Sequence, residues 1–136
     1  MTTFQKELTL EELKKAAKSL KISQQLLSEA LMIQKDNIDL HKALRDSCIQ
    51  RFEFCVELAW KTSIKVLGLN TKSPNIAIRD MAQNKLITET EIWFDFLQTL
   101  NKTSHTYNED IATQVYNESV RILPELELLL EKLEKF

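Results

Sequence analysis

The chain has 136 residues, 28% charged and 43% hydrophobic, with a net charge of −2. That size allows one domain with a substantial core, and the composition excludes an extended disordered chain. The slight acidic balance excludes a broadly basic surface for duplex nucleic acid. The single glycine excludes a glycine-rich phosphate loop.

One glycine and two prolines among many Leu, Glu, Lys and Ala residues predict an all-α chain. Thr9 with Glu12 three residues later reads as a capping box. From there Leu13, Ala16, Ala17, Leu20, Leu27 and Leu31 recur at helical spacing to about Lys35. Glu11, Glu12, Lys14, Lys15 and Lys18 form the densest early charge cluster, a solvated helix face. Asp36 to Asp39 (DNID) supplies a turn and a new N-cap.

The second helix is predicted from Asp39 to Leu67, with Gly68 as its stop. Leu40, Leu44, Cys48, Ile49, Phe52, Val56, Ala59, Trp60 and Ser63 form its stripe. Phe54, Cys55 and Leu58 widen that stripe to much of the circumference, as in a bundle centre or a contact with a partner chain. Asp46, Gln50, Glu53, Glu57 and Lys61 mark its polar edge, where Glu57 and Lys61 form an i,i+4 pair. Ser73-Pro74 predicts the third helix, with Ile76, Ala77, Met81 and Leu86 inward. Thr88 or Thr90 then caps a fourth, in which Ile92, Trp93, Phe96, Leu97 and Leu100 recur on one side.

Asn108, followed by Glu109 and Asp110, caps the last helix with an acidic first turn. Val115, Val120, Leu123, Leu126, Leu130 and Leu133 are its inward positions, and Pro124 is expected to kink or break it. The result is a bundle of about five helices in one domain, residues 1–136.

Cys48 and Cys55 lie seven residues apart on one predicted helix, about 10 Å along its axis. That is too far for a disulfide. With two scattered histidines they match no zinc pattern, so no metal site is expected. Reduced packing cysteines imply a cytoplasmic protein. No signal peptide is read in MTTFQKELTLEELKK, and no run is long enough to span a membrane.

The polar stretch LQTLNKTSHTYNED, Leu97 to Asp110, holds one of the two histidines and one of the two tyrosines. His105 and Tyr107 fall between two predicted helices, where residues two apart can face the same way. A histidine titrates near neutrality, and a tyrosine hydroxyl can donate, accept or be modified. Lys102, Thr103, Ser104 and Thr106 add a positive charge and hydroxyls. An isolated His-x-Tyr is a weak motif, so composition and spacing alone favour a polar interhelical turn with His105 bonded to a backbone carbonyl.

IQRFEFCVELAWK (Ile49 to Lys61) and LNKTSHTYNED (Leu100 to Asp110) resemble the nucleotidyltransferase substrate-binding proteins of the HEPN superfamily. SPNIAIRDMAQNKLI (Ser73 to Ile87) and EIWFDFL (Glu91 to Leu97) fit the same pattern. The resemblance covers about Leu40 to Tyr116 in order. It implies an up-and-down helical bundle that forms a homodimer and binds a minimal nucleotidyltransferase encoded nearby. Many such pairs are toxin–antitoxin modules. In them the HEPN protein is a metal-independent ribonuclease, silenced by AMP transferred from ATP to a motif tyrosine. The chain would have no cofactor of its own; ATP and magnesium come through the partner.

The family's ribonuclease motif is arginine, asparagine, three variable residues, histidine, one residue and tyrosine. It maps to Leu100, Asn101, His105 and Tyr107. Leucine at the arginine position is a departure. RNA cleavage by its own 2′-hydroxyl needs proton transfer, which His105 can supply, and stabilisation of an anionic phosphate, which leucine cannot. Arg51, inside the apolar arc of the second helix, is the candidate substitute cation. Its alternative is a salt bridge to Glu53, Glu57 or another helix's acid. Lys102 is a point charge on a flexible stem. Tyr107 needs no arginine to accept AMP. Two functions therefore follow: a substrate-binding subunit presenting Tyr107, with Asn101 and His105 lining the same cleft, or a weakened ribonuclease that binds RNA. Trp60, Trp93 and Tyr116 read as packing.

Overall fold

Thr2, not Thr9, starts the first helix. The computed structural model describes residues 1–136, and α1 runs Thr3–Ile33. The Thr2 hydroxyl accepts the Gln5 N–H at 3.1 Å, and the Gln5 side chain accepts the Thr2 N–H at 2.9 Å. This is the same capping pattern, seven residues earlier, and nothing between Thr3 and Leu10 breaks a helix. Thr9 is interior, its hydroxyl donating to the Gln5 carbonyl at 2.9 Å.

Helix α2, Ile38–Leu67, starts one residue before the expected Asp39, because Asn37 is the cap and accepts the Leu40 N–H at 3.2 Å. It stops at Gly68, whose φ of 71° is the left-handed conformation that a residue without Cβ adopts at least cost. Helix α3, Pro74–Gln83, opens with proline in its first turn, while Ser73 makes no side-chain cap bond. Helix α4, Thr90–Leu100, has Glu89 at its cap position, so neither Thr88 nor Thr90 caps it. A 3-10 turn, Thr103–His105, leads to α5, Glu109–Lys135. Asn108 caps α5 as expected, its side chain accepting the Asp110 and Ile111 N–H groups at 2.9 and 3.3 Å.

The expected interruption at Pro124 does not break the helix: α5 is continuous through it. Pro124 is exposed, and so is Val120, whose carbonyl loses the donor and faces water. On the other side Ala112, Val115, Ser119, Ile122, Leu126, Leu129 and Leu133 alternate at three and four residues, and this buried stripe carries the helix on past the proline. Val120 therefore faces outward, contrary to the spacing first read, and Leu31 and Ile76 are also exposed. Leu31 follows the buried Ala30 on α1 and points away from the core.

Contacts fix the directions of the helices. Lys14 pairs with Glu134 at 2.6 Å at one end of the bundle, and Arg45 pairs with Glu109 at 2.6 Å at the other. So α5 runs antiparallel to α1 and alongside α2. The return path between α2 and α5 is shared by the short helices α3 and α4. The bundle is up-and-down and all-helical, with α3 and α4 together forming its third pass.

One core of 24 buried residues draws on all five α-helices. Phe52 on α2 meets Phe96 on α4 edge-on at 6.2 Å, and Trp93 meets Phe96 at 5.2 Å. Cys48 and Cys55 are free and buried, and burial pushes their thiols up to about 11 and about 12. Trp60 is also buried, and Glu57 and Lys61 form a surface pair at 3.2 Å. No helix is long and apolar enough to cross a membrane.

Candidate functional site

The stretch that carries the motif is built from its own backbone. The Lys102 N–H donates to the Thr99 carbonyl at 2.9 Å, His105 to Lys102 at 3.0 Å and Asn108 to His105 at 3.1 Å. The Thr103 hydroxyl donates to the Leu100 carbonyl at 2.8 Å and that of Thr106 to Thr103 at 3.3 Å. Short polar side chains thus satisfy the carbonyls left over where α4 ends. Asn108 then restarts a helix.

This tight winding brings His105 and Tyr107 together on the outside of the bundle. Their rings meet edge to face with centroids 6.2 Å apart. Tyr107 is 84% exposed, the most exposed of the large apolar or aromatic side chains, and His105 and Asn101 are exposed with it. The His105 ring makes no bond to a backbone carbonyl. That role falls to the other histidine, His41, whose Nε2 lies 2.8 Å from the Gln34 carbonyl and 3.2 Å from that of Ala30, at the end of α1.

A groove of about 500 Å³ does run beside the turn, but Asn101, His105 and Tyr107 do not line it. Its walls are Ala43, Asp46, Ser47, Ile49, Gln50 and Glu53 of α2, with Thr103 and Thr106 of the turn. Glu53 is half-buried there. Burial raises its carboxyl above the usual range, and the neighbouring Thr103 hydroxyl works the other way. Its walls hold two carboxylates, one of them paired with Arg45, and no cation, so nothing in them is placed to gather phosphate. No group of three His, Cys, Asp or Glu side chains is placed to hold a metal ion.

Arg51 is not in this groove. It points into the α1–α2 seam, where its Nε donates to the Ser19 hydroxyl at 2.5 Å and its Nη1 to the Ser47 hydroxyl. It forms no salt bridge, since Glu53 and Glu57 project from other sides of the helix. Leu100, at the motif's arginine position, is half-buried against the core. A different guanidinium, Arg45, is tied to the chain just beyond the motif. It sits at the start of α2 and bonds Glu109, two residues beyond Tyr107. Burial works against its charge, but hydrogen bonds to Glu109 and Asp46 outweigh that and raise its pKa. Arg45 in turn holds the Glu109 carboxyl below its usual range, with Lys42 at 3.7 Å adding to the effect. A signal was present: Arg45 falls four residues before Ile49 and seven before Phe52, on the inward stripe. An arginine there requires a partner from another element. Tyr116 is half-buried, and burial raises its hydroxyl's pKa.

Residues 8–135 match the model of a family described as nucleotidyltransferase substrate binding protein like. No curated protein gives a significant match. Among solved structures the chain is similar to HI0074 from Haemophilus influenzae, described as having the fold of a substrate binding domain of a nucleotidyltransferase. The TM-score is 0.81 at 26% identity, over 91% of this chain and 98% of that one.

Proposed function

The chain belongs to the nucleotidyltransferase substrate binding protein like family, and from that premise we propose that it is the substrate-binding subunit of a minimal nucleotidyltransferase and presents Tyr107 as an acceptor for AMP. It is the HEPN component of a two-gene, toxin–antitoxin-like module. The observation that carries the reading is the exposure of Tyr107 beside His105 on the turn between α4 and α5. In the transfer, the Tyr107 oxygen attacks the α-phosphorus of ATP, pyrophosphate leaves, and the phenolic proton passes to a base. The partner brings ATP, magnesium and that base. The ribonuclease reading is weaker: Leu100 offers no donor, Arg51 is held by two serines, and Arg45 is paired with two carboxylates.

The test is an intact mass spectrum after incubation with the nucleotidyltransferase encoded beside the chain, ATP and magnesium. AMP-sized additions are expected on the wild type and none on Tyr107→Phe. Additions that persist in Tyr107→Phe, or their absence from the wild type while the complex forms, would remove the acceptor role.

A homodimer through the outer face of α1 and α2 is part of the same proposal. Leu8 and Leu58 line one depression between these helices, and Leu26, Ile33, Leu40 and Leu44 line a second. Phe54 is 55% exposed on α2. Apolar groups spread along one face at this density mark a contact surface. Sedimentation at micromolar concentration is expected to give twice the chain mass, and Phe54→Asp to lower it; a wild-type monomer rules the dimer out.

A further inference from the structure

The turn bearing His105 and Tyr107 is wound by bonds among its own residues and the end of α4, and those bonds do not say how it sits on the rest of the bundle. Its position on α2 depends on side chains. One ion pair to α2 lies at its far end, where α5 begins. Arg45 Nη1 donates to Glu109 Oε2 at 2.6 Å, and its Nε and Nη2 donate to Asp46 Oδ1 at 3.3 and 3.2 Å. The side chain of Arg45 is only 15% exposed, while that of Glu109 is 57% exposed. The arginine is therefore the fixed member. Asp46, its neighbour on α2, orients the guanidinium from behind, and the free arm of the fork captures the first residue of α5.

We propose that Arg45 is a positioning residue: by holding Glu109 it fixes the turn and sets the place at which Tyr107 is offered to the partner enzyme. This rests on the reading of Tyr107 as the acceptor. Glu109 is the first residue of α5 and directly follows the cap Asn108, so a shift of its position carries the cap and Tyr107 with it. An exposed pair contributes little to stability, but a guanidinium this buried has few other partners. Planar, two-sided capture of Asp46 and Glu109 is a task that lysine's point charge does not perform. Transfer to a tyrosine depends on placing its oxygen in line with the leaving pyrophosphate, which makes the rate sensitive to small displacements.

The experiment uses the full chain with the partner nucleotidyltransferase, ATP and magnesium. It compares wild type, Arg45→Met, Arg45→Lys, Glu109→Gln and the double variant Arg45→Met/Glu109→Gln, with Asp110→Asn as control. Asp110 shares the helix N-terminus but is not bonded to Arg45. Two quantities are read: the rate of AMP incorporation at saturating partner, and hydrogen exchange of the amides of residues 103–108. Arg45→Met and Glu109→Gln are each expected to slow incorporation about tenfold and speed exchange of the turn. Partner affinity should be unchanged. The double variant should be no worse than either single one, Arg45→Lys should lie between, and Asp110→Asn should match wild type. Glu109→Gln changes only an exposed group, so it reports even if Arg45→Met fails to fold. Wild-type exchange in Glu109→Gln, or losses that multiply in the double variant, overturns the proposal. If the wild-type chain takes no AMP, the acceptor reading falls by itself, and the exchange data still decide whether Arg45 holds the turn.

Discussion

Phe52→Ala is expected to destabilise the chain by about 3–5 kcal/mol, the usual cost of deleting a fully buried aromatic ring. Phe52 is 0% exposed and carries the edge-on contact between α2 and α4. Removing it takes away the Phe96 contact and leaves a cavity between the interiors of two helices, which close on it only in part. A domain of this size has about 5–15 kcal/mol in all, so the variant should approach the edge of folding. Phe54→Ala, two residues on, should change the stability of the isolated chain by no more than about 0.5 kcal/mol, because its ring is mostly in water. Urea unfolding followed by circular dichroism measures both. Equal losses at the two positions would mean that the orientation of α2 is wrong, and with it the assignment of the α1–α2 face as free surface.

The pair of phenylalanines also marks how far the sequence could be read. The helical period placed Phe52 on the stripe and Phe54 on its margin, which is correct in kind. It could not tell whether the wide arc faced the core of this chain or something outside it, since both are apolar. Caps were legible where only one residue fitted: Asn108, Gly68 and Pro74 stand where their chemistry demands. They were misread where two residues fitted equally. Thr2 and Thr9 both stand three residues before a Gln or Glu, and only the absence of a break between them favours the first. At Pro124 local propensity argued for an interruption, but seven buried side chains on one stripe outweigh one missing donor on the wet side. Within the site, the closeness of His105 and Tyr107 followed from their two-residue spacing in a turn. The role of Arg45 did not, because its partner is 64 residues away and only the fold brings them together. The same limit misdirected attention to Arg51: inward position was readable, but not which neighbouring helix would supply the acceptors.

Leu100→Arg is expected to raise His105-dependent cleavage of single-stranded RNA by about a hundred- to a thousand-fold over the wild-type chain, the usual worth of one donor aimed at a developing oxyanion. Leu100 ends α4, half-buried against the core, with Asn101 next to it and His105 one 3-10 turn later. An arginine stem can keep much of the leucine packing while its guanidinium reaches the surface. There it would meet the phosphate as the 2′-oxygen attacks phosphorus and the 5′-oxygen leaves, with His105 moving the proton. In the wild type the negative charge finds no such donor, and the adjacent groove has no cation in its walls to supply one. Cleavage of a fluorogenic RNA by the purified chain, with Leu100→Arg and Leu100→Arg/His105→Ala beside it, makes the comparison. A gain that the second variant loses identifies the wild-type turn as a cleavage site lacking one cation, which leaves Tyr107 free to serve the partner. Strong His105-dependent cleavage by the wild type would make the chain an enzyme in its own right and turn any AMP on Tyr107 into its off-switch. If Leu100→Arg stays inert, the turn has lost the geometry for cleavage as well as the arginine, and its exposed tyrosine is then what remains for function.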